Sequence, residues 1–334
     1  MNALLAHVVA GKHLGRSQAR EAFERIMAGS VDEPTLGAFL CALATKGEHV
    51  DELVGAAEAM RAAATPVRCD DPCLDTCGTG GDGISTFNVS TTAAIIAAAA
   101  GAVVAKHGNR TNTRVSGSAE VLAELGVNIA ADAPVLERCL AEIGLAFLYA
   151  PGLHPAMKHA VGVRRAIRGR TIFNLLGPLA NPAGAKYQVL GVSRPEHLEL
   201  IARALRDLEA DRVWVVHGAG GLCDLTITGP TQVCELRNGR LIFLTIDPAD
   251  ARLPRAPLSA LLVGSAKESA QILRAVLQGE SGPWRDHALL NAGAALVVYG
   301  ASQELAEGVR LAAQTVDSGA ALAKLDDLVR LSNS

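Results

Sequence analysis

Between residues 75 and 118 the chain gathers residue types that bind anions. Asp75-Thr76-Cys77-Gly78-Thr79-Gly80-Gly81-Asp82-Gly83 comes first, then Thr86-Phe87-Asn88-Val89-Ser90-Thr91-Thr92, then Lys106-His107-Gly108-Asn109-Arg110, and finally Ser116-Gly117-Ser118. Gly78, Gly80, Gly81 and Gly83 free the backbone to take left-handed conformations and to turn its amides toward an anion with no Cβ in the way. The run from Asn88 to Thr92 leads into Ala93-Ala94-Ile95-Ile96-Ala97, which places hydroxyls and backbone amides at the positive end of a helix. Lys106 and Arg110 add full positive charges. The set suits a sugar that carries both a phosphate and a pyrophosphate.

Two other readings of the same residues fail on their surroundings. Gly78-x-Gly80-x-x-Gly83 after an apolar run matches a dinucleotide fingerprint, but that fold wants an acid roughly twenty positions on, at the end of the next strand. Here the run Ala102-Val103-Val104-Ala105 leads to Lys106-His107, a cation where an acid is needed. Cys69, Cys73 and Cys77 share a spacing that would align metal ligands on a helix, yet Pro72 and the glycines after Cys77 argue against a helix there. An ordinary glycine-rich turn remains the plain alternative, and the recurrence of glycines, hydroxyls and cations at successive junctions speaks against it.

These residues need a frame. The first 66 residues read as helices, with apolar residues at helical spacing over 17–28, 35–45 and 50–64. From about residue 70 short apolar strands alternate with helices, at 74–76, 103–104, 145–148, 187–190, 213–216 and 233–236, and the last seventy residues return to helices broken at Gly300. The expected fold is α/β: a small all-helical domain over 1–66, joined by a helical segment around 155–180, and a large domain over 70–334 with a central, mostly parallel sheet flanked by helices. A chain of 334 residues can bury a sizeable core, and with 49% apolar but only 3% aromatic residues that core must be aliphatic. The net charge of −3 argues against a general nucleic-acid binder, and no apolar run or N-terminal layout suggests a membrane span or signal peptide. Seven scattered cysteines fit reduced thiols, hence a cytoplasmic location.

By Lys106-His107-Gly108-Asn109-Arg110 the chain resembles the anthranilate phosphoribosyltransferases of tryptophan synthesis over nearly its full length. Lys46-Gly47-Glu48, His154-Pro155-Ala156-Met157-Lys158, Val163-Arg164-Arg165, Thr171-Ile172-Phe173-Asn174-Leu175-Leu176-Gly177-Pro178 and Leu290-Asn291-Ala292-Gly293 carry the match in order. The resemblance implies that the amine of anthranilate joins C1 of 5-phosphoribosyl 1-pyrophosphate with loss of pyrophosphate. It also implies Mg2+ as cofactor, a homodimer, and a site at the hinge between the two domains. Donor contacts carried over in this way fall on Gly78, Gly81, Asp82, Thr86, Asn88, Val89, Ser90, Thr91, Lys106, His107, Gly108, Asn109, Arg110, Thr113, Arg114 and Ser118. Acceptor contacts fall on Gly78, Asn109, Arg164, His107 and His154, with the Arg164 guanidinium suited to a carboxylate; each histidine reads equally well as a packing residue. The metal falls on Ser90, Asp224 and the position of Cys223.

Two segments depart from the family pattern. Gly221-Leu222-Cys223-Asp224 stands where the family has adjacent carboxylates, and a thiol is a poor ligand for a hard cation that wants oxygen; weaker magnesium binding is expected. Thr111-Asn112-Thr113-Arg114-Val115 replaces a serine-rich loop, and Arg114 could either add a cation to the pyrophosphate or obstruct the pocket. The departures leave open a paralogue that uses another aromatic acceptor, or a non-catalytic member that binds a ligand or nucleic acid.

Overall fold

The computed structural model describes residues 1–111 and 114–334. Helices build the first unit: α1 (Asn2–Val9), α2 (Arg16–Met27), α3 (Glu33–Lys46) and α4 (Val50–Ala62). α3 starts where Asp32 accepts the Thr35 amide at 2.9 Å with Pro34 in the first turn, and α4 where Glu52 reaches back to the His49 amide at 2.8 Å. Their apolar faces meet around Phe23, Leu36, Phe39, Leu40 and Leu53.

Beyond this bundle seven strands among the described residues form one sheet: β1 (Leu74–Gly78), β2 (Val104–Gly108), β3 (Leu145–Tyr149), β4 (Tyr187–Gly191), β5 (Arg212–Gly218), β6 (Thr231–Arg237) and β7 (Arg240–Ile246), in the order β3-β2-β1-β4-β5-β6-β7. β1 to β5 are parallel, and β6 and β7 run antiparallel. The α/β class with a mostly parallel sheet is the one expected, but two strand expectations need correction. β7 was not expected, although Asn238 and Gly239, with φ of 52° and 72°, make the two-residue turn that joins it to β6. β2 also runs on to Gly108, so Lys106 and His107 lie within the strand rather than beyond its end.

The strand order reverses between β1 and β4, which pair from Leu74 against Tyr187 to Gly78 against Gly191. Ligands in such sheets bind at the carboxyl ends of the strands beside that reversal. Alternate residues of the strands serve two cores, as the period of two requires. Val189, Trp214, Val216 and Val233 pack with α5 (Val89–Ala99) and the helix Pro283–Tyr299, whereas Leu190, Val213, Val215, Cys234 and Leu236 share a core with the N-terminal bundle. After β3 the chain returns to that bundle: the helix Lys158–Ile167 buries Ala160 and Val163 in it, and Phe173 meets Phe23 with ring centroids 5.5 Å apart. The segment that carries Arg164 is thereby held against the bundle.

Candidate active site

At the end of β1 the chain turns through Gly80, Gly81 and Gly83 at φ of 63°, 79° and 70°, values that strain any residue with a Cβ. The second half of the loop is pinned from behind. Phe87 donates its amide to Leu261 O at 3.0 Å, Val263 to Ser85 O at 2.8 Å, and Asn88 to Ser269 Oγ at 2.9 Å. α5 therefore starts at a fixed place, with Asn88 and Ser90 at its N-terminus facing a cleft of about 330 Å³.

Gly191 closes the floor of this cleft. A Cβ there would lie 1.6 Å from Cys223 O, so the segment after β5 is pressed onto the ends of β1 and β4. Two residues on, Asn291 grips Leu225, accepting its amide at 3.1 Å and donating to its O at 2.9 Å, and His287 donates to the same oxygen at 2.8 Å. Cys223 and Asp224 are thus fixed by backbone contacts on both sides. Burial pushes the Cys223 thiol up, and it pushes the Asp224 carboxyl up to about 7, with Arg114 opposing and Asp82 reinforcing.

The cation of β2 is held as firmly. Lys106 is buried, donates to Thr76 O, and approaches Ser90 Oγ at 3.2 Å; burial lowers its pKa against the pull of Asp75. Asp75 itself, wholly buried, accepts the His107 amide at 3.0 Å and Asn181 Nδ2 at 2.9 Å. Asn181 also donates to Ala105 O at 2.9 Å, so one amide side chain ties β1 to β2 behind the cleft.

On the opposite wall Arg164 is half-buried with its guanidinium 5.2 Å from the centre of the Phe173 ring, an arrangement that orients the fork and supports its charge. Burial lowers its pKa from the ordinary value. His107 donates Nδ1–H to Gly177 O at 3.1 Å, leaving Nε2 buried with no partner among the described residues. Burial takes the His107 pKa down to about 3.

The expected site residues divide into three groups. Gly78, Gly81, Asn88, Ser90, Lys106, His107, Gly108, Asn109, Arg110, Arg114, Ser118, Arg164, Cys223 and Asp224 line one cleft. Thr86, Val89 and Thr91 lie buried beneath it, Asp82 meets it through Arg114, and His154 stands one layer back, its ring 5.2 Å from that of His107. Thr113 lies outside the described residues. The sequence reading quoted Thr79 in the glycine stretch and Phe173, Asn174, Gly177 and Pro178 in the run from Thr171 to Pro178, but assigned none of them to the wall they line. Arg170 was also missed: it donates to Ser193 Oγ at 2.6 Å and lies 3.1 Å from where a Cβ on Gly81 would sit, backing the glycine loop.

No cluster of three or more His, Cys, Asp and Glu side chains that could cage a metal exists among the described residues. Asp224 and the Ser90 hydroxyl fit an ion that takes its other oxygens from a bound phosphate, as Mg2+ usually does. The Cys223 thiol, neutral and soft, adds nothing to such an ion.

Comparison with known proteins finds relatives over nearly the whole chain. Residues 2–64 match the helical bundle domain of a glycosyl transferase family, and residues 70–322 match its a/b domain. An anthranilate phosphoribosyltransferase of Methylobacterium radiotolerans is 52% identical over 98% of this chain and 95% of its own length. The crystal structure of anthranilate phosphoribosyltransferase from Thermus thermophilus superposes with a TM-score of 0.94 at 41% identity, covering 99% of both chains. The Saccharomyces cerevisiae enzyme in complex with PRPP and Mg gives 0.90 at 26% identity over 99% of this chain and 98% of its own.

Proposed function

The chain belongs to the anthranilate phosphoribosyltransferase family, and from that premise we infer that it transfers the phosphoribosyl group of 5-phosphoribosyl 1-pyrophosphate to the amine of anthranilate, releasing pyrophosphate. The observation that carries this is one cleft with two unlike walls. On one side are glycine-loop amides, a helix N-terminus and Lys106; on the other, Arg164 lies over Phe173 with no ion-pair partner among the described residues.

An aryl amine is neutral at pH 7, so its lone pair attacks C1 without a general base, which is why no acid–base residue is assigned. The residues hold two partners in line and stabilise the charge that grows on the leaving group. The Arg164 fork takes the anthranilate carboxylate, Phe173 offers the aromatic ring an apolar surface, and Asn109 completes that end. Asn88, Ser90 and the loop amides take the donor's oxygens. Lys106, held by Thr76 and Ser90, keeps a positive charge under them. Asp224 and Ser90 would hold Mg2+, which would supply charge neutralisation on the pyrophosphate.

The free state of all seven cysteines supports a cytoplasmic setting. Exposed Val9 and Val161, on α1 and on the helix Lys158–Ile167, support a homodimer through the bundle; sedimentation of the purified chain tests it. For the reaction itself, anthranilate fluorescence is followed with phosphoribosyl pyrophosphate over a magnesium titration. Loss of fluorescence matched by released pyrophosphate is the expected result; folded protein that leaves anthranilate unconsumed at every magnesium level refutes the assignment.

A further inference from the structure

Among the described residues Arg114 is the one cation of the cleft already paired with an acid. Its Nε donates to Asp82 Oδ1 at 2.6 Å and its Nη2 to Oδ2, a two-point pair in which the Asp82 side chain is 1% exposed and that of Arg114 17%. The Cys223 amide donates to Asp82 Oδ2 at 3.2 Å, which fixes the carboxylate from below, and Asp224 follows in the same wall. The buried Lys106 donates to Thr76 and Ser90, and Arg164 lies over Phe173. A guanidinium fork fits a phosphate as well as it fits a carboxylate, and a pyrophosphate offers more charge and more oxygens than one aspartate.

We propose that the pyrophosphate end of the donor displaces Asp82 from Arg114. The guanidinium passes from carboxylate to pyrophosphate, and the released Asp82 becomes an oxygen ligand for the cation that accompanies the leaving group, on the side where Cys223 supplies none. This rests on the donor assignment made above and adds to it an exchange of partners. It follows that pyrophosphate and Mg2+ reinforce each other's binding, because pyrophosphate frees the acid the metal needs, and that reinforcement is reciprocal.

Calorimetric titration with inorganic pyrophosphate, first with chelator and then with Mg2+, tests it without any need for turnover. Arg114→Ser is expected to weaken metal-free binding by about tenfold or more, the scale of a lost charge-assisted pair, and Arg114→Lys to recover part of it. Asp82→Asn is the discriminating variant: its amide oxygen still accepts from the Cys223 amide, but without the negative charge and the second acceptor it competes far less for the guanidinium. Metal-free pyrophosphate binding should then tighten several-fold, and the gain conferred by Mg2+ should shrink. Weaker metal-free binding in Asp82→Asn would mean that Asp82 only positions Arg114, and unchanged binding in Arg114→Ser would mean that Arg114 never meets the anion; either overturns the proposal. Partner exchange in a protein that leaves anthranilate unconsumed supports the proposal and refutes the acceptor assignment instead.

Discussion

The two ends of the cleft are built differently. At the acceptor end Arg164 lies on Phe173 and His107 on Gly177 O, contacts that leave the guanidinium fork open to a carboxylate. At the leaving-group end the cations already hold partners within the protein: Arg114 the Asp82 carboxylate, and Lys106 the neutral oxygens of Thr76 and Ser90. An aromatic acid can therefore dock without breaking any protein contact, whereas a pyrophosphate must take partners away from one another. Preorganisation at one end and exchange at the other also suit the chemistry, since the acceptor keeps its charge through the reaction while the leaving group gains charge.

The largest expected effect removes the acceptor end alone. Arg164→Ala should raise the anthranilate concentration needed for half-maximal rate by about 10- to 100-fold, the value of a charged two-point hydrogen bond, with donor dependence little changed; steady-state kinetics in both substrates reads the split. At the other end, Cys223→Asp combined with Asp224→Glu should lower the magnesium needed for half-maximal donor binding by roughly tenfold, because a hard oxygen replaces a soft sulfur. An unchanged magnesium curve would place the metal away from this segment. Phe173→Leu keeps the apolar volume but loses the ring face, and should raise the anthranilate requirement about three- to fivefold, the scale of an exposed cation–π contact.

The smallest effect concerns stability. Burial holds His107 at about 3, and His154 and His287 at about 4, all depressed from the ordinary histidine value. Through these three histidines the unfolded chain binds more protons than the folded one, and the raised Asp224 carboxyl offsets only part of that difference, so their stabilisation is complete above about pH 6.5 and is lost as pH falls toward 4. The melting temperature should be flat from pH 7 to 8 and lower at pH 5, and His154→Gln should flatten that slope. His154 belongs to the layer behind the acceptor wall, so the same variant should leave pyrophosphate binding unmoved.

The donor wall was legible because its requirements are local. Gly80, Gly81 and Gly83 take positive φ, which few other residues tolerate, and Asn88 to Thr92 announces a helix start within ten residues of them. Lys106 was legible from position at a strand junction, though the strand runs further than its apolar run, since Lys106 and His107 are buried by partners that lie far off in sequence. Arg164 was identified through family resemblance; spacing alone would leave Arg164 and Arg165 as one solvated basic turn. What the sequence hid is tertiary. The pairing of Arg114 with Asp82, the support of Asp75 by Asn181, and the backing of Gly81 by Arg170 join residues that no periodicity connects. β7 is a different kind of omission, because Asn238-Gly239 carried the signal of its turn.

The contrast between the two ends is tested most directly by a crystal structure of the protein with magnesium pyrophosphate and anthranilate both bound. It should show Arg114 on pyrophosphate oxygens and away from Asp82, with Arg164 still over Phe173 and paired to the carboxylate. Arg114 still clasping Asp82 beside a bound pyrophosphate, or Arg164 displaced from the ring to reach its ligand, would contradict it.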